Sequence, residues 1–481
     1  GILLFARRLD IRDPHCLHPR PAQVNNWDLF FAGGLFMAAC LAERAWLKPD
    51  PAWPRLQWGR YYDVGYDLDP ARVERWKGIA RERVATALAN QLGPDGDYAE
   101  GLSYAGYGGL AFLTALTTLE RMEGAPFPPP LFSLPRWARS QFVADLGAGA
   151  ANFNDSKIAA RLPLFLLVSL AARSRDPEVQ GYAMEVLDRS TGNPGHMALL
   201  GLDPSVPAKP IALPHAIRYQ HTGTVIWRTA PDRSGVFFAL QSGAHGGAHQ
   251  HADRNNFFLS ACGEHLVVDT GDSRYANPPD PGYARTAAHN CLLIDGRGQF
   301  GDNARPTAGR IVEYAHDGDV SSLLADAGAC YEKVTVCRRR VVFVRPDLLV
   351  MADRVEAPGD SLTWLLQGYN PDGAAQWHAD SLQAVLSRPA ARLHVFFGQS
   401  IERVSVTTGT LDGEARGILR FAAETKGRRF LAILVPARAG EEPPACTRAA
   451  NGDLSIRFRG RTHTVHADED ELTVNGRRFG V

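Results

Sequence analysis

Apolar positions follow two different rhythms along this chain. Over roughly the first 200 residues they recur at helical spacing. Leu29, Phe30, Leu35, Phe36, Ala39, Leu41 and Trp46 form one dense face within 27–46, and Val73, Trp76, Ile79, Val84, Ala87 and Leu88 form another within 71–92. The same pattern predicts helices at about 104–122, 136–146, 157–174 and 177–189, a succession suited to helical hairpins packed side by side. Pro204, Pro207, Pro210 and Pro214 then crowd one short stretch that cannot continue a helix, so 204–215 reads as a linker between a helical unit, 1–203, and a second unit, 216–481. Beyond it the pattern is β. Short runs rich in Val, Ile, Leu and Phe occur at 223–228, 235–241, 256–261, 265–269, 291–294, 339–344 and 348–354, and again at 393–397, 430–434 and 454–458. Stacked antiparallel sheets are the expected result. No internal repeat or low-complexity segment interrupts either unit.

At 481 residues the chain is too long for one ordinary core, which agrees with two units. Lysine plus arginine equals aspartate plus glutamate at 52 each, so no overall field recruits a polyanion and a nucleic-acid partner is not expected. No apolar run approaches the roughly 20 residues of a membrane span. The opening Gly1-Ile2-Leu3-Leu4-Phe5 lacks the length and basic flank of a signal peptide. A chain beginning with Gly rather than Met is expected to lack its natural N-terminus, and with it any targeting signal. The cysteines, at 16, 40, 262, 291, 330, 337 and 446, form no CxxC pair and are odd in number, so they read as small buried residues rather than a disulfide framework or thiolate site.

Chemistry concentrates in the β unit. His249-Gln250-His251-Ala252-Asp253 is followed by Asp269 in Val267-Val268-Asp269-Thr270-Gly271, then by Arg285-Thr286-Ala287-Ala288-His289-Asn290. Imidazoles and carboxylates ligate zinc-like ions and move protons near neutral pH. In an extended strand His249 and His251 would share one face about 6.6 Å apart. A hairpin turning at Gly263 would set Asp269 opposite Phe257, roughly 20 Å along the strand from His251, so a joint site requires the chain to bend between His251 and Asn256. The residues themselves fit either a bound ion or a hydrogen-bonded polar cluster without one.

The ordered run from His249 to Gln299, including Asp295-Gly296, resembles the C-terminal signature of the heparinase II/III family of polysaccharide lyases. Asn25-Asn26-Trp27 and Asp95-Gly96-Asp97-Tyr98-Ala99-Glu100-Gly101-Leu102-Ser103-Tyr104 resemble the same family's helical-domain motifs. The resemblance implies an N-terminal (α/α) toroid, here expected to lack its first helices, followed by an antiparallel β-sandwich. It implies an enzyme that cleaves a uronic-acid-containing polysaccharide by β-elimination in a periplasmic or secreted setting. By the same resemblance Tyr104 and His249 are catalytic, Asn26 neutralises the substrate carboxylate, and His251, Asp269 and His289 hold zinc. Many relatives have Asn-His where this chain has Asn25-Asn26-Trp27, which leaves the assignment open between Asn25 and Asn26; Asn26 is equally placed to cap the helix that follows. Tyr107, one helical turn after Tyr104, is a substitute for it. Arg285 offers a planar fork to a uronate carboxylate. Tyr275 and Glu100 are further substrate-binding candidates in the cleft, and His463 and His466 are assigned no function.

Two rivals stand beside the lyase. One is a glycoside hydrolase acting on an acidic glycan, with Glu100 and Asp155 as acid and base, since helical toroids also host carboxylate-pair hydrolysis. The other is a glycan-binding protein that has lost catalysis.

Overall fold

The computed structural model of the chain describes residues 26–43, 70–189, 196–245, 247–274, 280–301 and 307–481. Among these, the helices are Asn26–Ala42, Pro70–Gln91, Leu102–Glu123, Pro129–Ser140, Leu164–Ser174, Pro177–Asp188 and His196–Gly201. Asn26–Ala42 packs against both Pro70–Gln91 and Leu102–Glu123, and Leu164–Ser174 packs against Pro177–Asp188, as helical hairpins do. Local chemistry sets the ends. Asp176 accepts hydrogen bonds from the Glu178 and Val179 amides ahead of Pro177, and Gly124 closes Leu102–Glu123 in the left-handed conformation.

Two expected helices are displaced. The one expected at 136–146 starts at Pro129 and stops at Ser140, because 142–150 fold back through a 3-10 turn, Leu146–Ala148, capped by Asp145. The one expected at 157–174 starts only at Leu164, after Pro163. Residues 152–163 form an irregular segment facing the β unit, and its first residues supply part of the site. Trp46 lies outside the described residues. Among the described residues no helix is long and apolar enough to cross a membrane.

From Ala216 onward the chain is antiparallel β. The first sheet runs in the order 216–219, 224–228, 236–241, 256–261, 264–267, 361–369, 414–426 and 403–411, with 292–294 also paired to 361–369. The second runs 376–379, 383–387, 391–397, 429–438, 348–356, 336–344, 320–326 and 310–317, and a third joins the last five strands. These sheets and the helices stack in four layers. Ile226, Phe237, Ala239, Phe258 and Val268 face the helices, whereas Trp227, Phe238, Leu240, Phe257 and Leu259 face Val341, Phe343, Met351 and Leu434 of the second sheet. That sheet's other face, with Val342, Val350, Ile433 and Val435, is covered by Leu454, Ile456, Phe458, Val465 and Leu472. Strands buried on both faces lose the polar alternation of a half-exposed sheet, which is why they read as continuous apolar runs.

The helical layer is latched to the first sheet by buried polar contacts. Arg228 donates to the Ser140 and Phe142 carbonyls, the Tyr219 hydroxyl lies 2.9 Å from Ser140 Oγ, and the Thr222 amide donates to Asp97 at 2.8 Å. His265 sits in the same joint, with Nδ1 2.6 Å from Ser260 Oγ. Burial, then the charges of Arg233 and Arg388, push its pKa down to about 4. The folded protein therefore refuses a proton that the unfolded chain accepts near pH 6.5, so this contribution is complete above that pH and is lost as pH falls toward 4. His265→Gln should lose less stability than the parent between about pH 7 and pH 5, by about 2 kcal/mol in denaturant unfolding. Equal losses in the two proteins would assign the acid sensitivity elsewhere.

Candidate functional site

The site is built around Asp155, a fully buried carboxylate in the irregular helical-side segment. Its Oδ2 lies 2.7 Å from His249 Nδ1 and its Oδ1 2.9 Å from His251 Nε2, while Arg274 Nη2 approaches Oδ2 at 3.0 Å. Burial alone would raise the pKa of this group; the two histidine hydrogen bonds and the Arg274 charge overcome that and hold it well below the usual carboxylate range. The backbone reinforces the join, because the Asp155 amide donates to the His249 carbonyl at 3.1 Å. His249 and Asn154 both take left-handed backbone conformations, with φ of 62° and 61°. Such strain in non-glycine residues persists where surrounding contacts over-determine it.

The helical wall is fitted to this carboxylate residue by residue. A Cβ on Gly101, at φ 85°, would fall 2.4 Å from Ser156 Oγ and 2.7 Å from the Phe153 carbonyl, so glycine lets the helix start against the Asp155 segment. Ser103 completes the splice: its amide donates to Ser156 Oγ at 3.3 Å, and its hydroxyl oxygen accepts from the Lys157 amide at 3.1 Å. Tyr104 is thereby placed flat on His249, ring centroids 3.5 Å apart at 20°. Glu100 is buried beneath, accepting from Gln91 at 3.2 Å. Burial pushes its pKa up to about 8, Gln91 and Arg274 acting against that and Asp155 with it.

His251, Asp269 and His289 converge. One donor atom from each lies within 4.8 Å of the others, and all three side chains are buried. His251 Nδ1 and His289 Nε2 are buried nitrogens without a hydrogen-bond partner among the described residues. Asp155 on the far nitrogen of His251 fixes the tautomer that leaves Nδ1 a lone pair, which is the outer-shell arrangement of metal-binding histidines. Asp269 is clasped by Asn152, which exchanges hydrogen bonds with its backbone at 2.9 and 3.1 Å, and by Asn256, which donates to its Oδ2. Its Oδ1 lies 3.0 Å from His289 Nδ1. The donor set and the orphaned nitrogens fit a metal ion, and this cluster can hold one.

Of the residues singled out in the sequence, the structure brings Tyr104, His249, His251, Asp269, His289 and Glu100 together. The bend needed between His251 and Asn256 is present, as a turn that ends with Asn255 at φ 68°. His249 and His251 are not in an extended strand, contrary to expectation; they lie in a turn and share Asp155 instead of a strand face. Arg285 is exposed at the start of the 3-10 turn Thr286–Ala288, and the cation that reaches Asp155 is Arg274, whose Nε also donates to Tyr283 Oη at 3.1 Å. Tyr107 is 42 % exposed beside Tyr104. Asn25 and Tyr275 lie outside the described residues, as does the side chain of Asn26, whose backbone begins the first helix. Sequence reasoning missed Asn152, Asn256, Arg274 and Tyr283, and took Asp155 only as a hydrolytic base. The run Asn152-Phe153-Asn154-Asp155-Ser156 was the available signal, since such side chains favour caps and loops over helix interiors.

Comparison with known proteins bears on both the fold and this cluster. A family model described as heparinase II/III-like, C-terminal, matches residues 212–457. Among solved structures, heparan sulfate lyase HepC from Pedobacter heparinus superposes with a TM-score of 0.61 at 15% identity, covering 94% of this chain and 65% of that one. A heparinase III superposes at 0.62 and 14% identity, covering 100% and 66%, and a chondroitinase AC lyase at 0.50 and 11%, covering 98% and 70%. The chain thus spans about two thirds of the length of these structures, and at such identities they show the shared fold: an (α/α) toroid followed by an antiparallel β-sandwich. No curated protein matches at the sequence level. The family match covers just over half of the chain and contains His249, His251, Asp269 and His289, so the chain belongs to the heparinase II/III-like family.

Proposed function

We propose that this chain is the catalytic part of a polysaccharide lyase that cleaves a uronic-acid-containing glycosaminoglycan by β-elimination. The observation that carries the reading is the Tyr104–His249 stack at the domain joint, with His249 Nδ1 held by Asp155. A histidine fixed through Nδ1 keeps Nε2 for proton exchange. Tyr104 and His249 together supply the two proton transfers that elimination needs. One group takes the C5 proton, the C5–H electron pair forms the C4–C5 double bond, the C4–O4 bond breaks, and O4 receives a proton. The C5 proton leaves only if charge on the adjacent carboxylate is neutralised, the task the family resemblance gives to Asn26 and one that the Arg274 cation is placed to support. The relatives named for heparan sulfate and chondroitin substrates favour a glycosaminoglycan over alginate.

Zinc is the ion we propose for His251, Asp269 and His289, where it would act as a structural Lewis acid tying the loops that carry these residues. The mixed imidazole and carboxylate set suits it. The hydrolase alternative loses support from the same geometry. Asp155 is fully buried with both oxygens engaged by His249, His251 and Arg274, so it is not available to activate a water at a sugar ring.

The decisive assay incubates the full-length natural protein with heparan sulfate, chondroitin sulfate and alginate. A lyase produces an unsaturated uronate with new ultraviolet absorbance; new reducing ends without that absorbance would establish hydrolysis. Tyr104→Phe should lower kcat by about 10²-fold or more while leaving the melting temperature nearly unchanged, and His249→Ala should lower kcat at least as much and also lower the melting temperature, because it strips a donor from buried Asp155. Near-normal turnover in both variants would move the active site elsewhere.

For the metal, elemental analysis of the purified protein should find about one zinc per chain, and chelation should lower the melting temperature because an ion bound only to the folded state stabilises it. His251→Ala and His289→Ala should abolish both. Protein free of transition metal, yet unaffected by added zinc, would leave a purely hydrogen-bonded cluster.

A further inference from the structure

Few large apolar side chains are strongly exposed among the described residues: Phe30, Tyr107, Leu199, Val312, Leu382 and Val406. Two of them are aromatic, and those two touch. Phe30 and Tyr107 are 37 % and 42 % exposed, with ring centroids 4.8 Å apart at 51°. They come from different helices, Asn26–Ala42 and Leu102–Glu123, that pack against each other. Tyr107 follows Tyr104 by three residues and so projects from the same helix face. Its ring lies 6.3 Å from that of Tyr104, which is itself stacked on His249. The result is a continuous aromatic line from a solvent-facing ledge to the proposed reacting groups.

From this juxtaposition we infer that Phe30 and Tyr107 form a stacking subsite for a pyranose ring next to the sugar that reacts at Tyr104 and His249. The inference rests on the glycan-cleaving reading above and adds a substrate position to it. A pyranose presents one face of C–H groups, which covers an exposed aromatic ring without desolvating a polar atom, while the sugar's carboxylate and sulfate groups remain in water at the ring edge. An exposed apolar patch beside a polar cleft is the usual mark of a binding surface. Arg274, which binds the same Asp155 as His249 and keeps 42% of its side chain exposed, adds charge to this apolar area. The ledge would hold the chain by its sugar faces and Arg274 by its acidic groups. Here the ring matters and the hydroxyl does not.

The test uses the full-length protein carrying Tyr104→Phe, which slows turnover, and product absorbance is followed to confirm that the ligand stays intact during the titration. Calorimetry measures affinity for heparan sulfate oligosaccharides of increasing length, with chondroitin sulfate and alginate oligosaccharides in parallel. Adding Phe30→Ala or Tyr107→Ala should weaken the longer oligosaccharides by about five- to tenfold and the shortest by about twofold or less, whereas Tyr107→Phe should bind like its parent. Melting temperatures should hold, since both side chains are exposed. Penalties equal at every length, or none at any length, overturn the subsite. A lowered melting temperature with unchanged affinity would make the ledge a packing face for another segment and overturns it too. If ultraviolet-absorbing product forms in the unsubstituted protein while the ring variants bind normally, only the subsite fails. If none of the three oligosaccharides binds, the glycan reading fails and the subsite with it.

Discussion

One carboxylate shared by two histidines holds this molecule's site together. Asp155 belongs to the helical unit, and His249 and His251 belong to the β unit, so its hydrogen bonds at 2.7 and 2.9 Å define how the two halves meet. A carboxylate removed from water is costly unless every lone pair is answered by a donor and its charge by a cation. Asp155 receives both, because Arg274 completes the set. A displacement of either domain would strand this charge, and the neighbouring contacts resist displacement. Gly101 and Ser103 lock the start of helix Leu102–Glu123 onto the Asp155 segment, and Asn152 ties that segment to Asp269.

The sheet behind the site is what makes that geometry rigid. Strands 236–241 and 256–261 are buried on both faces, one against helices and one against the second sheet. Asn256 begins the second of these strands and also donates to Asp269, while Asn290 bonds the Phe257 and Val268 carbonyls beside it. The loops that carry the proposed metal ligands are therefore pinned directly to a doubly covered sheet. Positions set by packed elements are held more closely than positions set by loops alone.

Most of the fold was legible because apolar periodicity is a local signal. The two regimes, the proline-rich connector and most of the strands could be read from spacing alone. The two displaced helices show where that signal ends: residues 141–146 and 157–163 contain enough apolar side chains to extend a helical pattern, yet Asp145 and Pro163 divert the backbone. The site was legible in its residue types and illegible in its partners. Nothing near His249 in sequence points to Asp155, which lies in the other unit, and the choice of Arg274 over Arg285 depends on how the loop after Asp269 is folded. Long-range partners of this kind are set by tertiary packing, for which a single sequence carries no periodicity.

The sharing of Asp155 has a chemical consequence that separate carboxylates would not have. Its Oδ1 fixes the tautomer of His251 in the proposed metal set, and its Oδ2 fixes that of His249 in the proposed proton-transfer pair. An ion held by His251 would withdraw electron density through the imidazole and strengthen the Nε2–H bond to Asp155. Arg274 also draws on Oδ2. One buried carboxylate thus serves both a residue of the proposed metal set and a residue of the proposed proton-transfer pair.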